Sequence, residues 1–306
     1  MNKRICNRGC NRGRILAAAL VLTLISMACR ANINLPVTQI QTGPTRTVDI
    51  LVPMPEEAAT GVELNLEFAA GELKLAPGAA PETDPGVNEY LASGTATFNA
   101  AELEPKVDGS GSSYTLRHDD LKIEGIPNFQ DDVKNEWDLQ LANTPMSLNI
   151  QAGAYNGSFE LGGLSLEKLA ISEGGSNVAC TFSTPNQVEM SSFTYSTGGS
   201  TMVLKGLANA NFEQMDFNGG AGEYTLSFDG NLQRDASVTI DAGISTVNII
   251  IPQGANAQIT FEGGLSSVNT NGGWEQNGDI YVLSGSGPTI TILVKMGVGT
   301  LNLKTE

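Results

Sequence analysis

His118, in Leu116-Arg117-His118-Asp119-Asp120, is the only histidine of the chain and the first candidate for acid–base chemistry. As the base of a serine triad it would need a positioned nucleophile and an orienting carboxylate, and the chain has no G-x-S-x-G elbow. One imidazole also cannot make a multi-histidine zinc site, so His118 reads as a solvated turn residue. Glu72, Glu173, Glu223 and Glu262 recur near glycine turns, and a row of carboxylates would suit Ca²⁺, which takes six to eight oxygens. Their offsets from the repeat starts defined below differ, which favours charges that keep turns wet and strand edges unpaired. Cys180 stands where Leu204, Leu226 and Ile249 stand in neighbouring repeats, which reads as a buried hydrophobe rather than a reactive thiol. Gly297-Val298-Gly299 and Gly285-Ser286-Gly287 lack the third glycine of a dinucleotide fingerprint and read as turns. Trp274 and Tyr281 could form a platform for a sugar ring or simply pack an insertion onto the body.

Composition restricts what could position these groups. The chain has 306 residues, 35 of them glycine, with 16% charged and 6% aromatic content, which argues for β structure over a helical bundle. Lys+Arg number 17 against 33 Asp+Glu, a net charge of −16 that repels phosphate backbones and excludes nucleic-acid binding. Five cations and no acid lie in Met1 to Ala28, all of the cations ahead of an apolar run from Ile15 to Ile25, the layout of a signal peptide. Its removal takes the charge from −16 to −21 and leaves Cys29 and Cys180 as the cysteines of the exported body, too few for a disulfide framework or a cysteine zinc site. From Arg30 to Thr45 the chain is polar and proline-containing, and residues 29–45 read as a tether.

Beyond the tether the chain repeats itself. Leu64, Leu148, Leu169, Phe193, Met215, Val238, Ile259 and Ile292 each have an apolar residue two positions on: Leu66, Ile150, Ile171, Tyr195, Phe217, Ile240, Phe261 and Val294. Five positions after the start stands a glycine, from Gly153 to Gly297, with Ala69 as the exception. Apolar anchors resume at nine and eleven, as in Val247 and Ile249, with Asn248 facing out between them. Alternation means strands with one buried face, and the glycine is expected to supply the positive φ of a sharp turn. A unit of some 21 to 24 residues cannot bury its face alone, so units must stack. The 33-residue last interval, around Trp274 and Tyr281, is a loop or an extra strand pair.

The run Leu64-Asn65-Leu66-Glu67-Phe68-Ala69-Ala70-Gly71-Glu72-Leu73 resembles the bacterial toast-rack proteins, as do Asn135 to Leu139, Phe217 to Glu223 and Gly297 to Leu301. These are relatives of the putative adhesins and of Lia-type envelope-stress proteins. The resemblance implies an extracytoplasmic stacked-β body and carries no catalytic residues. Separately, Ile25-Ser26-Met27-Ala28-Cys29 resembles a relaxed lipoprotein lipobox, which implies cleavage before Cys29 and its acylation.

The expected protein is therefore all-β: a signal peptide at 1–28, a tether at 29–45, an irregular N-terminal β cap at 46–140 and a β-solenoid at 141–306. A β-sandwich of hairpins is the alternative, suggested by Asn218-Gly219 and Asp229-Gly230. The expected function is a non-catalytic, lipid-anchored envelope scaffold or adhesin-like binder at the outer face of the membrane, with no cofactor and with an envelope protein or glycan as partner. The rival readings are a regulator of envelope-stress sensing, a calcium-dependent polysaccharide-processing enzyme and, for location, a secreted protein.

Overall fold

The structure is a computed structural model describing residues 37–55, 61–78, 90–119, 126–128 and 133–306; the signal segment, Cys29 and the start of the tether lie outside these. In chain order the first strands are β1 (Val37–Gln39), β2 (Arg46–Pro53), β3 (Glu63–Pro77), β4 (Tyr90–Phe98), β5 (Pro105–Ser110), β6 (Ser113–His118), β7 (Ile126–Asn128) and β8 (Asn135–Leu141). The long strands follow: β9 (Met146–Glu160), β10 (Leu166–Thr181), β11 (Met190–Lys205), β12 (Phe212–Ser227), β13 (Ala236–Ile251) and β14 (Asn256–Asn271). A short pair, β15 (Glu275–Asn277) and β16 (Ile280–Leu283), precedes the final β17 (Thr289–Thr305). β1 and β7 pair in parallel, Val37 beside Ile126, as a unit of their own.

The other strands form one sheet of 15. Each long strand pairs in parallel with its neighbours, Leu169 with Phe193, Phe193 with Met215 and Met215 with Val238, so the repeat starts form a column. Parallel pairing of whole repeats is a stacked coil, and it excludes the hairpin sandwich, whose neighbouring strands would run antiparallel. Along each strand the buried positions change phase at the glycine. In β10, Leu169, Ile171 and Glu173 face inward before Gly174, whereas Val178 and Cys180 do so after it. The strand thus folds into two limbs around a corner, and the apolar residues of both limbs meet inside, each buried anchor contributing roughly 1.5–3 kcal/mol.

The corner glycines are not there for a positive φ. None of Gly153, Gly174, Gly198, Gly220, Gly243, Gly264 and Gly297 has one. A Cβ on Gly198 would lie 2.6 Å from the carbonyl oxygen of Gly174, one on Gly297 2.9 Å from that of Gly243, and one on Gly220 would overlap that of Gly198. Each corner packs its bare Cα on the carbonyl of the rung below, which corrects the turn-conformation reading. Gly157 and Gly219, at inward positions, leave room for rings instead: a Cβ there would meet Tyr155 in the first case and Tyr224 and Phe217 in the second.

The stacking order departs from chain order at one end. β17 inserts between β13 and β14, and the insertion around Trp274 and Tyr281 is a strand pair, β15–β16, packed on the first limb of β14. At the other end β3 is a full rung on β9, and its limbs take different partners: Glu63 to Leu66 lie beside β6, Glu72 to Pro77 beside β8. Antiparallel pairings of β5 with β6, and of β4 with β8 and β2, complete that end. The return loops are closed by asparagine amides acting as extra backbone. Asn186 accepts from the Leu166 N–H and donates to the Leu166 carbonyl, both at 2.9 Å, and Asn209 bridges Phe182 to Asn231.

Candidate binding groove

Along the corner of the stack runs an open groove of about 720 Å³. Its outer row holds one residue from each of six successive rungs, always three after the repeat start: Ser172, Ser196, Asn218, Asp241, Lys295 and Glu262. At ~4.8 Å per strand the row is about 24 Å long. The floor is Gly198, Gly220, Gly243 and Gly297, so backbone is exposed where side chains would otherwise close the corner. Lys295 stands in register between Asp241 and Glu262, and it is the one cation among the described lining residues.

The inner wall leads to a buried polar cluster. Glu173 accepts hydrogen bonds from the Tyr155 hydroxyl, at 2.7 Å, and from Ser176 Oγ, while Thr197 Oγ1 donates to Ser200 Oγ at 2.9 Å. The hydroxyls of Tyr195, Tyr224 and Ser245 are buried without a hydrogen-bond partner. Burial, and then the negative charge of Glu173, push the Tyr155 hydroxyl far above its ordinary range. These phenols stay protonated. Of the three, Tyr155 donates to the Glu173 carboxylate, and Lys295, the only basic side chain in the described lining, stands in the outer row rather than in this cluster.

The four acids of the sequence pattern do not form a row. Glu262 is in the outer row of the groove, Glu173 is buried in the inner wall, and Glu72 and Glu223 share a third column, four rungs apart. Beside Glu72 stands Glu136 of β8, and each acid has a lysine within 4.0 Å, Lys74 for Glu72 and Lys134, just before β8, for Glu136. Cys180 is a fully buried anchor whose thiol is pushed up by desolvation, as its repeat position indicates. Tyr281 is buried, accepting from Gln276 at 3.1 Å, and Trp274 packs against the core, so the pair fastens the insertion and presents no platform. Gly297 and Gly299 belong to the corner of β17, and Gly285 and Gly287 to the loop before it.

His118 is the clearest correction. It is 6% exposed at the end of β6, with ring centroids 4.8 Å from Trp137 and 5.7 Å from Phe68. Nδ1–H donates to the Leu103 carbonyl at 3.1 Å, and Nε2 faces the Asn135 amide at 3.4 Å. Desolvation lowers its pKa to about 4, so it is a neutral core residue at the split between β6 and β8, far along the stack from the groove. The groove itself was missed from the sequence. Its signal was present as the polar column three residues after each start, beside the glycine column already noted.

A family model described as the N-terminal domain of toast_rack matches residues 41–198. No curated protein matches the chain. Among solved structures, a "putative cell adhesion protein" from Clostridium sporogenes is similar at 19% identity and a TM-score of 0.46, over 86% of this chain and 100% of that one. A "putative adhesin" from Bacteroides fragilis is similar at 12% identity and 0.36, over 87% and 99%, and one from Parabacteroides merdae at 10% and 0.37, over 87% and 98%.

Proposed function

The chain belongs to the toast-rack family, and from that premise we propose that it is a non-catalytic binding module of the cell envelope, exported and held at the outer face of the membrane by a lipid on Cys29. The observation that carries the binding reading is the groove: a solvent-open trough across six rungs, edged by a row of polar side chains and floored by glycine backbone. Catalysis benefits from enclosing its substrate from water, and this trough encloses nothing. A rigid row of hydroxyl, amide and charged groups spaced by the strand repeat suits an extended, polyhydroxylated polymer such as an envelope glycan, lying across the strands. The strong acidity of the body agrees with an uncharged ligand of this kind better than with a polyanion. The placing of Glu72, Glu173, Glu223 and Glu262 in three columns disfavours the calcium-dependent enzyme.

The test is titration of the purified chain with envelope polysaccharides, followed for both binding and bond cleavage. Saturable binding with the polymer intact is expected. Ser196→Trp, which fills the trough from a half-buried position in its outer row, should weaken it about tenfold, or 1.4 kcal/mol. Release of cleaved product, abolished by Glu173→Gln, would overturn the binding reading.

A further inference from the structure

The sheet ends at the second limb of β14, Gly264 to Asn271, beside β17 on one side and beside no strand of the described residues on the other. The β15–β16 pair covers only Ala257 to Thr260 of the first limb. Eight residues of backbone, about 26 Å, therefore present unpaired N–H and C=O groups along one edge. Natural edges are commonly blunted by charge. β2 carries Arg46 and Asp49 and β5 carries Lys106 and Asp108, but Gly264-Leu265-Ser266-Ser267-Val268-Asn269-Thr270-Asn271 has no charge and no proline.

Two side-chain features end at the same edge. Ile244, Val298 and Leu265 stand in register one residue past the corner, 68%, 42% and 82% exposed, an aliphatic ladder on three successive rungs where earlier rungs carry Gly175, Gly199 and Ala221. An amide ladder also runs through the limb: Asn269 donates to Asn302 at 3.0 Å, and Asn302 to Asn248 at 2.9 Å. Every donor points into the stack, so the ladder finishes at the edge on the acceptor oxygen of Asn269.

We propose that this edge pairs with the same edge of a second copy, antiparallel about a twofold axis at Val268. In that register Val268 meets Val268 of the second copy, and Ser267 lies opposite Asn269, so that a serine hydroxyl reaches the open amide acceptor. Leu265 packs on the Asn271 end of the other strand. An uncharged edge lets two acidic bodies meet without setting like charges against each other, and a self-pairing edge closes on itself rather than polymerising. A head-to-tail contact would instead set this edge against the charged strands at the other end.

The purified chain, measured by light scattering over a concentration series, should reach twice the monomer mass. Ser267→Asp with Asn269→Asp, both exposed, sets carboxylates directly opposite one another and should return the protein to the monomer with its circular dichroism spectrum retained. Val268→Cys should cross-link two chains on oxidation, whereas Leu51→Cys on the opposite edge should not. A wild type that stays monomeric throughout, or a dimer that survives the double substitution and is not cross-linked through position 268, overturns the proposal. A monomer that takes up an added uncharged peptide strand at this edge would assign it to a foreign chain and overturn it equally.

Discussion

At the scale of single residues, hydrogen-bond partners decide roles that a sequence pattern cannot. His118 stands between Arg117 and two acids in the chain and looks wet, yet it is a neutral ring between Trp137 and Phe68. Its folded pKa of about 4 lies below the unfolded 6.5, so protons bind the unfolded chain first. The stabilisation is complete above pH 6.5 and is lost as pH falls toward 4, by up to about 3 kcal/mol at 1.36 kcal/mol per unit. Urea unfolding across that range should show the loss, and His118→Gln, which does not titrate, should flatten that part of the profile. Asn248 is a second case. The alternation rightly places it on the outer face, but it is only 8% exposed, because it accepts from Asn302 and donates to Thr225. Asn248→Asp, silent if the position were simply wet, should instead lower stability by about 1–2 kcal/mol in the same assay.

Among elements, the repeating strand holds two separate requirements, an apolar column on each limb and a corner without a Cβ. Val247 is a fully buried second-limb anchor, and Val247→Asp should destabilise by several kcal/mol through an unpaired buried charge. The corner rule is sharper because it distinguishes adjacent glycines. Gly220→Ala would drive a methyl into the Gly198 carbonyl and should cost about 2 kcal/mol or more, whereas Gly199→Ala, with its nearest atom 3.5 Å away, should change melting little. Equal shifts would mean that backbone freedom, not close approach, selects glycine at the corner. The glycine column and the anchors were legible in the chain because they recur with the unit. The reason for the glycine was not, since the atom that forbids a side chain belongs to another rung.

For the whole molecule, stacking converts short polar signals into a surface. Ser172, Ser196 and Asn218 are unremarkable singly, and they become a row only when parallel pairing aligns them. The proposed export and anchoring rest on Met1 to Cys29, outside the described residues; labelled fatty acid should enter the wild type and not Cys29→Ser, and release of unlipidated protein would leave a secreted form. No helix among the described residues is long and apolar enough to cross a membrane.

Sequence alone determined what depends on periodicity: the strand alternation, the repeat, the burial of Cys180 and of Val247 with Ile249, and the insertion near Trp274. Those features follow from which side of its own strand a residue occupies, a property of local spacing. Tertiary structure alone decided what depends on which strands become neighbours. It put β17 between β13 and β14, left the second limb of β14 at the end of the sheet, and gathered Glu173 with the hydroxyls of Tyr155 and Ser176. It also moved His118 from the expected surface to the core. The order of rungs is set by long-range pairing of chemically similar strands, any of which satisfies the same local pattern, so spacing along the chain carries no record of it.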